Sequence, residues 1–104
     1  MVNHINILEA ANLLQQKRAI AIDIRDAASF AQGHIEGAIR IDNDNFQSFI
    51  ESANKDTAII VCCYHGNASQ PASLSISGLG FESYSLQGGM TEWCLTQPTI
   101  QSAN

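Results

Sequence analysis

The sequence predicts an α/β protein, a three-layer sandwich whose central sheet, mostly parallel and about five strands wide, carries helices on both faces. Three observations predict it. Residues 19–22 and 58–62 are near-continuous apolar runs, as expected of strands buried on both faces of a parallel sheet. Segments with helical spacing separate the strand-like runs, the alternation that parallel strands need for their crossovers. With 104 residues, 45% of them hydrophobic, the chain fills one domain over 1–104 and leaves no room for a second.

The elements can be justified in chain order. Asn6 with Glu9 three residues on gives a capping-box pattern, and Ile7, Ala10, Ala11 and Leu14 share one face of a helix over 7–16. The strand at 19–22 exits into Asp23, Ile24, Arg25 and Asp26. Asp26 is placed to cap a short helix through Ala31, Gly33 to end it, and residues 38–41 to form a further strand. Asp42, Asn43, Asp44 and Asn45 offer caps ahead of Phe46, Phe49 and Ile50, whose spacing predicts a helix of about eight residues. Beyond the strand at 58–62 and a turn-forming segment, a helix covers 69–77, with Pro71 early enough to need no amide partner and Gly78 and Gly80 bracketing the end. A last strand near 83–86, a sharp turn at Gly88 and Gly89, and a helix over 90–95 that buries Trp93 complete the order. From about residue 98 the chain reads as a frayed tail. Phe81 reads as packing, and no repeat or low-complexity segment is present.

Charge and composition exclude several classes. Five Lys and Arg against ten Asp and Glu give a formal charge of -5, a field that repels nucleic-acid phosphates and anionic headgroups, so neither nucleic acid nor membrane is an expected partner. No stretch approaches the ~18 apolar residues of a membrane span, and Met1, Val2, Asn3 and His4 lack the basic start and apolar run of a secretion signal. A cytoplasmic location is the expectation. Cys62, Cys63 and Cys94 form an odd set with no CxxC pair, which points to reduced thiols rather than a disulfide framework or a zinc ribbon. A vicinal Cys62–Cys63 disulfide would strain the backbone. No metal or other cofactor is expected. Strand alternation turns Cys62 away from the side its neighbour faces, and Cys94 falls in an apolar helical stretch; both read as small buried hydrophobes.

Cys63 is the candidate nucleophile. A strand delivers it to the segment Tyr64, His65, Gly66, Asn67 and Ala68, where Gly66 and Asn67 most easily take positive φ and let the backbone curl until its amides point inward. Such a ring holds an anion, and the positive end of the next helix lowers a thiol pKa at the same point. In open parallel sheets ligands bind beyond the carboxyl ends of the strands, which brings Asp23 to Asp26 beside this segment. Asp23 is expected to orient the Cys63 loop by accepting its amide hydrogens, and Arg25 either to bind donor oxygens or to pair with a nearby acid. His65 reads as a pocket-rim residue rather than a general base, His34 as a turn residue held by a hydrogen bond, and His4 as merely N-terminal.

Three separated segments carry a resemblance: DIRDAASFAQGHIEGAIRI at 23–41, CYHGNAS at 63–69 and LQGGMTEW at 86–93. In this order they resemble single-domain rhodaneses, over residues 5–97. The loop is similar to that of the small GlpE-type thiosulfate sulfurtransferases, which also reads Cys-Tyr-His-Gly-Asn. The resemblance implies a ping-pong reaction in which Cys63 takes the outer sulfur of thiosulfate, sulfite leaves, and a persulfide waits for cyanide or a dithiol such as a thioredoxin-like protein. Tyr64 to Ala68, with Asp23 and Arg25, are then the substrate-binding residues, the backbone rather than side chains holding the intermediate.

One departure matters. Many rhodaneses carry Arg at the place of Ala68, and GlpE-type chains tend to carry Lys soon afterwards, where this chain has Gln70 and Pro71. Weak thiosulfate binding with intact persulfide chemistry is the expectation. Two rival readings remain: a rhodanese-like sulfur carrier or interaction module with little turnover, and a Cdc25-like phosphatase or arsenate reductase. The second needs Arg six residues after the cysteine to grip oxyanion oxygens, and that position is Ser69.

Overall fold

In the computed structural model, which describes residues 1–102, the chain runs β1 (His4–Ile5), α1 (Ile7–Gln15), β2 (Ala19–Asp23), α2 (Ala27–Gln32), β3 (Ile39–Arg40), α3 (Phe46–Ser52), β4 (Ala58–Cys62), α4 (Ser69–Gly78), β5 (Ser83–Leu86) and α5 (Gly89–Thr96). The strands form one sheet in the order β1-β5-β4-β2-β3, and every pairing is parallel. The expected α/β architecture is the observed one. Its fifth strand, β1, is two residues long and too short to show a period; the sheet recruits it through Ser85 N–H to Asn3 O and Gln87 N–H to Ile5 O.

Strand parity divides the core into two layers. Ala58, Ile60 and Cys62 of β4 face one side with Ala19 and Ala21 of β2, packed under Ala10 of α1 and Met90 and Trp93 of α5. Ile59 and Val61 face the other side with Ile22, packed under Ile76 of α4 and Phe46, Phe49 and Ile50 of α3. All five β4 residues are buried, so truncating Ile59 or Ile60 to Ala is expected to cost about 2–5 kcal/mol. Parity also decides the site, because Cys63 continues the α4 side and Cys62 the opposite one.

Local chemistry accounts for the starts of two helices. Asn6 Oδ1 accepts from the Glu9 amide at 2.8 Å, and Asp26 Oδ1 from the Ser29 amide at 2.8 Å, which starts α1 and α2. The acidic run before α3 caps nothing: Asn45 Oδ1 instead accepts from the Asp42 amide and its Nδ2 donates to Arg40 O, holding the turn after β3. Two other expectations are corrected. Cys94 is exposed, because α5 turns Gly89, Met90 and Trp93 inward and at ~100° per residue the next position points outward. The segment after Pro98 does not fray within the described residues. His34 and Ile100 exchange both backbone hydrogen bonds at 2.9 Å, Ser102 N–H donates to Ala31 O, and the Trp93 indole donates to Pro98 O. Residues 103 and 104 of the expected tail lie outside the described residues.

Candidate active site

Cys63 is the first residue beyond β4, and its side chain is recessed beneath the loop that succeeds it. Its Sγ accepts from the Gly66 amide at 3.2 Å and the Ser69 amide at 3.3 Å, and lies 3.2 Å from Ser69 Oγ. The α4 axis begins at this point, so its positive end faces the sulfur, and of its first-turn amides that of Ser69 is aimed at it. Burial pushes the thiol pKa up, but the Ser69 hydroxyl and the amides of Ser69, Gly66 and His65 outweigh it and hold Cys63 below the ordinary thiol value. The thiolate is the favoured nucleophile and also the form that accepts every one of these donors.

The ring closes because of what holds its carbonyls. Met90 N–H donates to Cys63 O at 2.8 Å and Thr91 N–H to Tyr64 O at 3.0 Å, both from the first turn of α5. In a trans peptide the carbonyl and the next N–H point opposite ways, so turning these carbonyls toward α5 turns the amides after them, His65 among them, toward the sulfur. Gly88 and Gly89 make this approach possible. Gly89 has φ 60°, and a Cβ there would lie 2.5 Å from Tyr64 O and 2.7 Å from Cys63 O. Gly66 has φ 88° and packs against the same turn, whereas Asn67, expected to share the left-handed role, does not take positive φ. One residue suffices because Gln70 Nε2, donating to Gly66 O at 2.9 Å, and the Gln70 amide, donating to Asn67 O, fold the remainder into the start of α4.

The residues named from the sequence do not all converge. Tyr64, His65, Asn67 and Ala68 are exposed on the loop's outer surface, with Gly66 beneath. Asp23 does not accept amides of the Cys63 loop. It stands opposite Cys62 in the β2–β4 register, on the face away from Cys63, and its carboxylate accepts from the Arg25 amide at 3.0 Å and from the Arg25 guanidinium at 2.8 to 3.2 Å. Arg25 thus takes the pairing role, with a second bond to Gly33 O at 2.7 Å, and Asp23 raises its already high pKa against the cost of burial. Its guanidinium carbon also lies 5.8 Å from the centre of the Tyr64 ring. His34 Nδ1 lies 2.6 Å from Phe30 O with its ring stacked on Phe30, which matches a turn-pinning residue.

Sequence reasoning missed three partners. The Ser69 hydroxyl joins the backbone amides at the sulfur, so side chains take part in the cradle. Ser85 Oγ lies 2.6 Å from Ser69 Oγ, and both serines are fully buried. A serine at every second position of a strand, Ser83 and Ser85, facing serines one helical turn apart, Ser69 and Ser73, was the available signal. Third, Tyr64 Oη hydrogen-bonds Asp26 Oδ2 and lies 2.7 Å from Ser29 Oγ, tying the loop to the start of α2. Tyr64 and the Ser29 amide hold the Asp26 carboxyl down at about 2.

A parallel α/β domain that presents a buried, donor-ringed cysteine between a strand end and a helix start defines a class of anion-stabilising thiol sites. A rhodanese-like domain model matches residues 7–96, and the chain belongs to that family. It is 46% identical over 98 residues to the thiosulfate sulfurtransferase GlpE of Pseudomonas putida, covering 91% of this chain and 89% of that protein, and 45% identical over 98 residues to the GlpE of Pseudomonas fluorescens, covering 92% and 90%. The fold superposes on a rhodanese-related protein from Thermoplasma volcanium with a TM-score of 0.82 at 24% identity, covering 94% of this chain and 97% of that one. Among the described residues no helix is long and apolar enough to cross a membrane.

Proposed function

We propose that this chain is a thiosulfate sulfurtransferase that carries sulfane sulfur on Cys63. The observation that carries the reading is what converges on Cys63 Sγ: the Gly66 and Ser69 amides, which donate to it, and the Ser69 hydroxyl 3.2 Å away, which can donate to it once it is a thiolate. The names of relatives at 45 and 46% identity supply the donor. The Cys63 thiolate attacks the outer sulfur of thiosulfate, an S–S bond forms, and the bond to the oxidised sulfur breaks so that sulfite leaves with its electron pair. The persulfide left behind bears its negative charge on a large, diffuse terminal sulfur, which preorganised amides and the start of α4 stabilise without reorganising. An acceptor, cyanide or one thiol of a dithiol such as a thioredoxin-like protein, then attacks that sulfur and returns the Cys63 thiolate. Tyr64, His65, Asn67 and Ala68 form the rim against which donor and acceptor approach. The unpaired thiols fit a reducing compartment, the cytoplasm.

Thiosulfate binding is weak in this reading. The loop contributes no cation, and Arg25 is engaged by Asp23 and Gly33 O. A KM near or above ~1 mM is expected, and a low micromolar value contradicts it. The central test is intact-mass spectrometry after incubation with thiosulfate: the wild type gains about 32 Da, loses it again on adding cyanide, and Cys63→Ser gains nothing. A wild type that stays unmodified sinks the proposal and favours an interaction module.

A further inference from the structure

Two hydroxyl pairs bridge α4 to β5. Ser69 Oγ and Ser85 Oγ lie 2.6 Å apart, and one helical turn on, Ser73 Oγ and Ser83 Oγ lie 2.9 Å apart. All four residues are buried, and among the described residues no buried side-chain nitrogen or oxygen lacks a partner. Packing alone accounts for both pairs equally well. Only the first touches the sulfur, through Ser69 Oγ at 3.2 Å from Cys63 Sγ. A hydroxyl donates one hydrogen and accepts others, so a chain of two hydroxyls ending on a thiol has two self-consistent directions. With a neutral thiol, Cys63 S–H donates to Ser69 Oγ and the Ser69 hydroxyl donates to Ser85. With a negative sulfur both bonds reverse: the Ser85 hydroxyl donates to Ser69 Oγ and the Ser69 hydroxyl donates to the sulfur.

We infer that Ser85 is a positioning residue for the Cys63 site: its hydroxyl, donating to Ser69 Oγ, fixes and polarises the Ser69 hydroxyl toward the thiolate and the persulfide. The geometry supports this in three ways. The Ser69 rotor is confined between two partners, which leaves its hydrogen only the sulfur or Ser85 to address. Consecutive hydrogen bonds polarise one another, and more strongly when the chain ends on a full charge than on a neutral thiol. And Ser85 sits on β5, held in the sheet by its pairing with Val61 and by its amide bond to Asn3 O, so its position does not depend on the loop. The inference rests on Cys63 being the reactive sulfur, but its test does not depend on turnover.

The measurement is the pH dependence of Cys63 alkylation by iodoacetamide, read by peptide mass spectrometry in a Cys94→Ser background because Cys94 is exposed. Ser85→Ala is expected to raise the midpoint by roughly half a pH unit. Ser83→Ala breaks the second hydroxyl pair and serves as the structural control, with an unchanged midpoint. Ser85→Thr keeps the hydroxyl and returns the wild-type midpoint. In a Ser69→Ala background, whose own midpoint is higher, Ser85→Ala is expected to add no further shift, because Ser85 acts only through Ser69. An unchanged midpoint in Ser85→Ala overturns the inference, as does an equal shift in Ser83→Ala, a Ser85→Thr midpoint as high as that of Ser85→Ala, or the same shift with Ser69 absent. Failure to form a persulfide would remove the proposed function yet leave these midpoints readable, so the two failures are distinguishable.

Discussion

Cys62 looks into the layer beneath α1 and α5, a core it shares with Ile60, Leu86 and Trp93, while Cys63, one residue on, looks toward α4 and a ring of hydrogen-bond donors. Burial, with Asp23 opposite, drives the Cys62 pKa far up; burial acts on Cys63 too, yet the donors reverse the sign of its shift. Desolvation therefore does not distinguish a reactive thiol from an inert one. The distinction lies in whether the polar groups around the buried atom are aimed at it, and in a strand that is settled by parity and by the conformation of the chain just beyond the last paired residue.

The largest effects come from exchanging the two environments' occupants. Cys63→Ser is expected to abolish sulfur transfer, whereas Cys62→Ala keeps it and costs about 1–2 kcal/mol of stability for the lost packing. Activity assays and urea unfolding check both. Their pH dependence has opposite signs. Cys62, with its folded pKa raised, contributes stability that is present below the unfolded thiol value and lost as the pH rises toward the folded one. Cys63, with its folded pKa lowered, contributes stability that is present above the unfolded thiol value and lost as the pH falls through the folded one. Between about pH 7 and 10, unfolding free energy should therefore fall less steeply in Cys62→Ala than in the wild type and more steeply in Cys63→Ala, by at most ~1.4 kcal/mol per pH unit for each thiol. Parallel slopes for the two variants would erase the distinction.

A smaller effect probes how the donors are aimed. Gly89→Ala puts a methyl 2.5 Å from Tyr64 O on a residue at φ 60°, so the carbonyls that α5 holds must swing and take the His65 amide with them. Persulfide formation is expected to slow by ~100-fold with the sheet intact, a loss of positioning rather than of fold. Single-turnover mass spectrometry with thiosulfate measures it. A variant as fast as the wild type would mean that the contact with α5 does not orient the ring.

The parts legible in the sequence were those with a local cause. Apolar runs placed β2 and β4, Asn6 and Asp26 marked two helix starts, and a cysteine between strand and glycine-bearing turn marked the candidate site. The parts that escaped depend on pairs distant in the chain. The short β1 pairs with the edge that β5 offers it, and the tail around Ile100 is held by backbone bonds to His34 and Ala31, far back in the chain. Ser85 is separated from Ser69 by 16 residues, and Tyr64 from Asp26 by 38. Asp23 too depends on a distant pair: residues that leave the sheet at the same end need not face the same side, and the β2–β4 register sets Asp23 opposite Cys62, on the face away from the Cys63 loop.

The smallest expected effect lies at the rim, where the comparison becomes one between buried and exposed donors. Tyr64→Phe removes the hydroxyl that, with Ser29, holds the Asp26 carboxyl at about 2. Carbon-detected NMR should show the Asp26 midpoint rising toward the ordinary carboxylate range, and with a smaller depression its contribution to stability, present above the unfolded pKa and lost as the pH falls through the folded one, shrinks. Because Tyr64 and Asp26 are exposed and Ser29 is half-buried beside them, water replaces the lost partner, and the transfer rate is expected to stay within about threefold of the wild type. The Cys63 cradle stands on the amides behind Tyr64, fixed by α5, and not on the side chain in front. A Tyr64→Phe rate that collapsed as far as that of Gly89→Ala would show that the tie to α2, as much as the grip of α5, sets the direction of the donors.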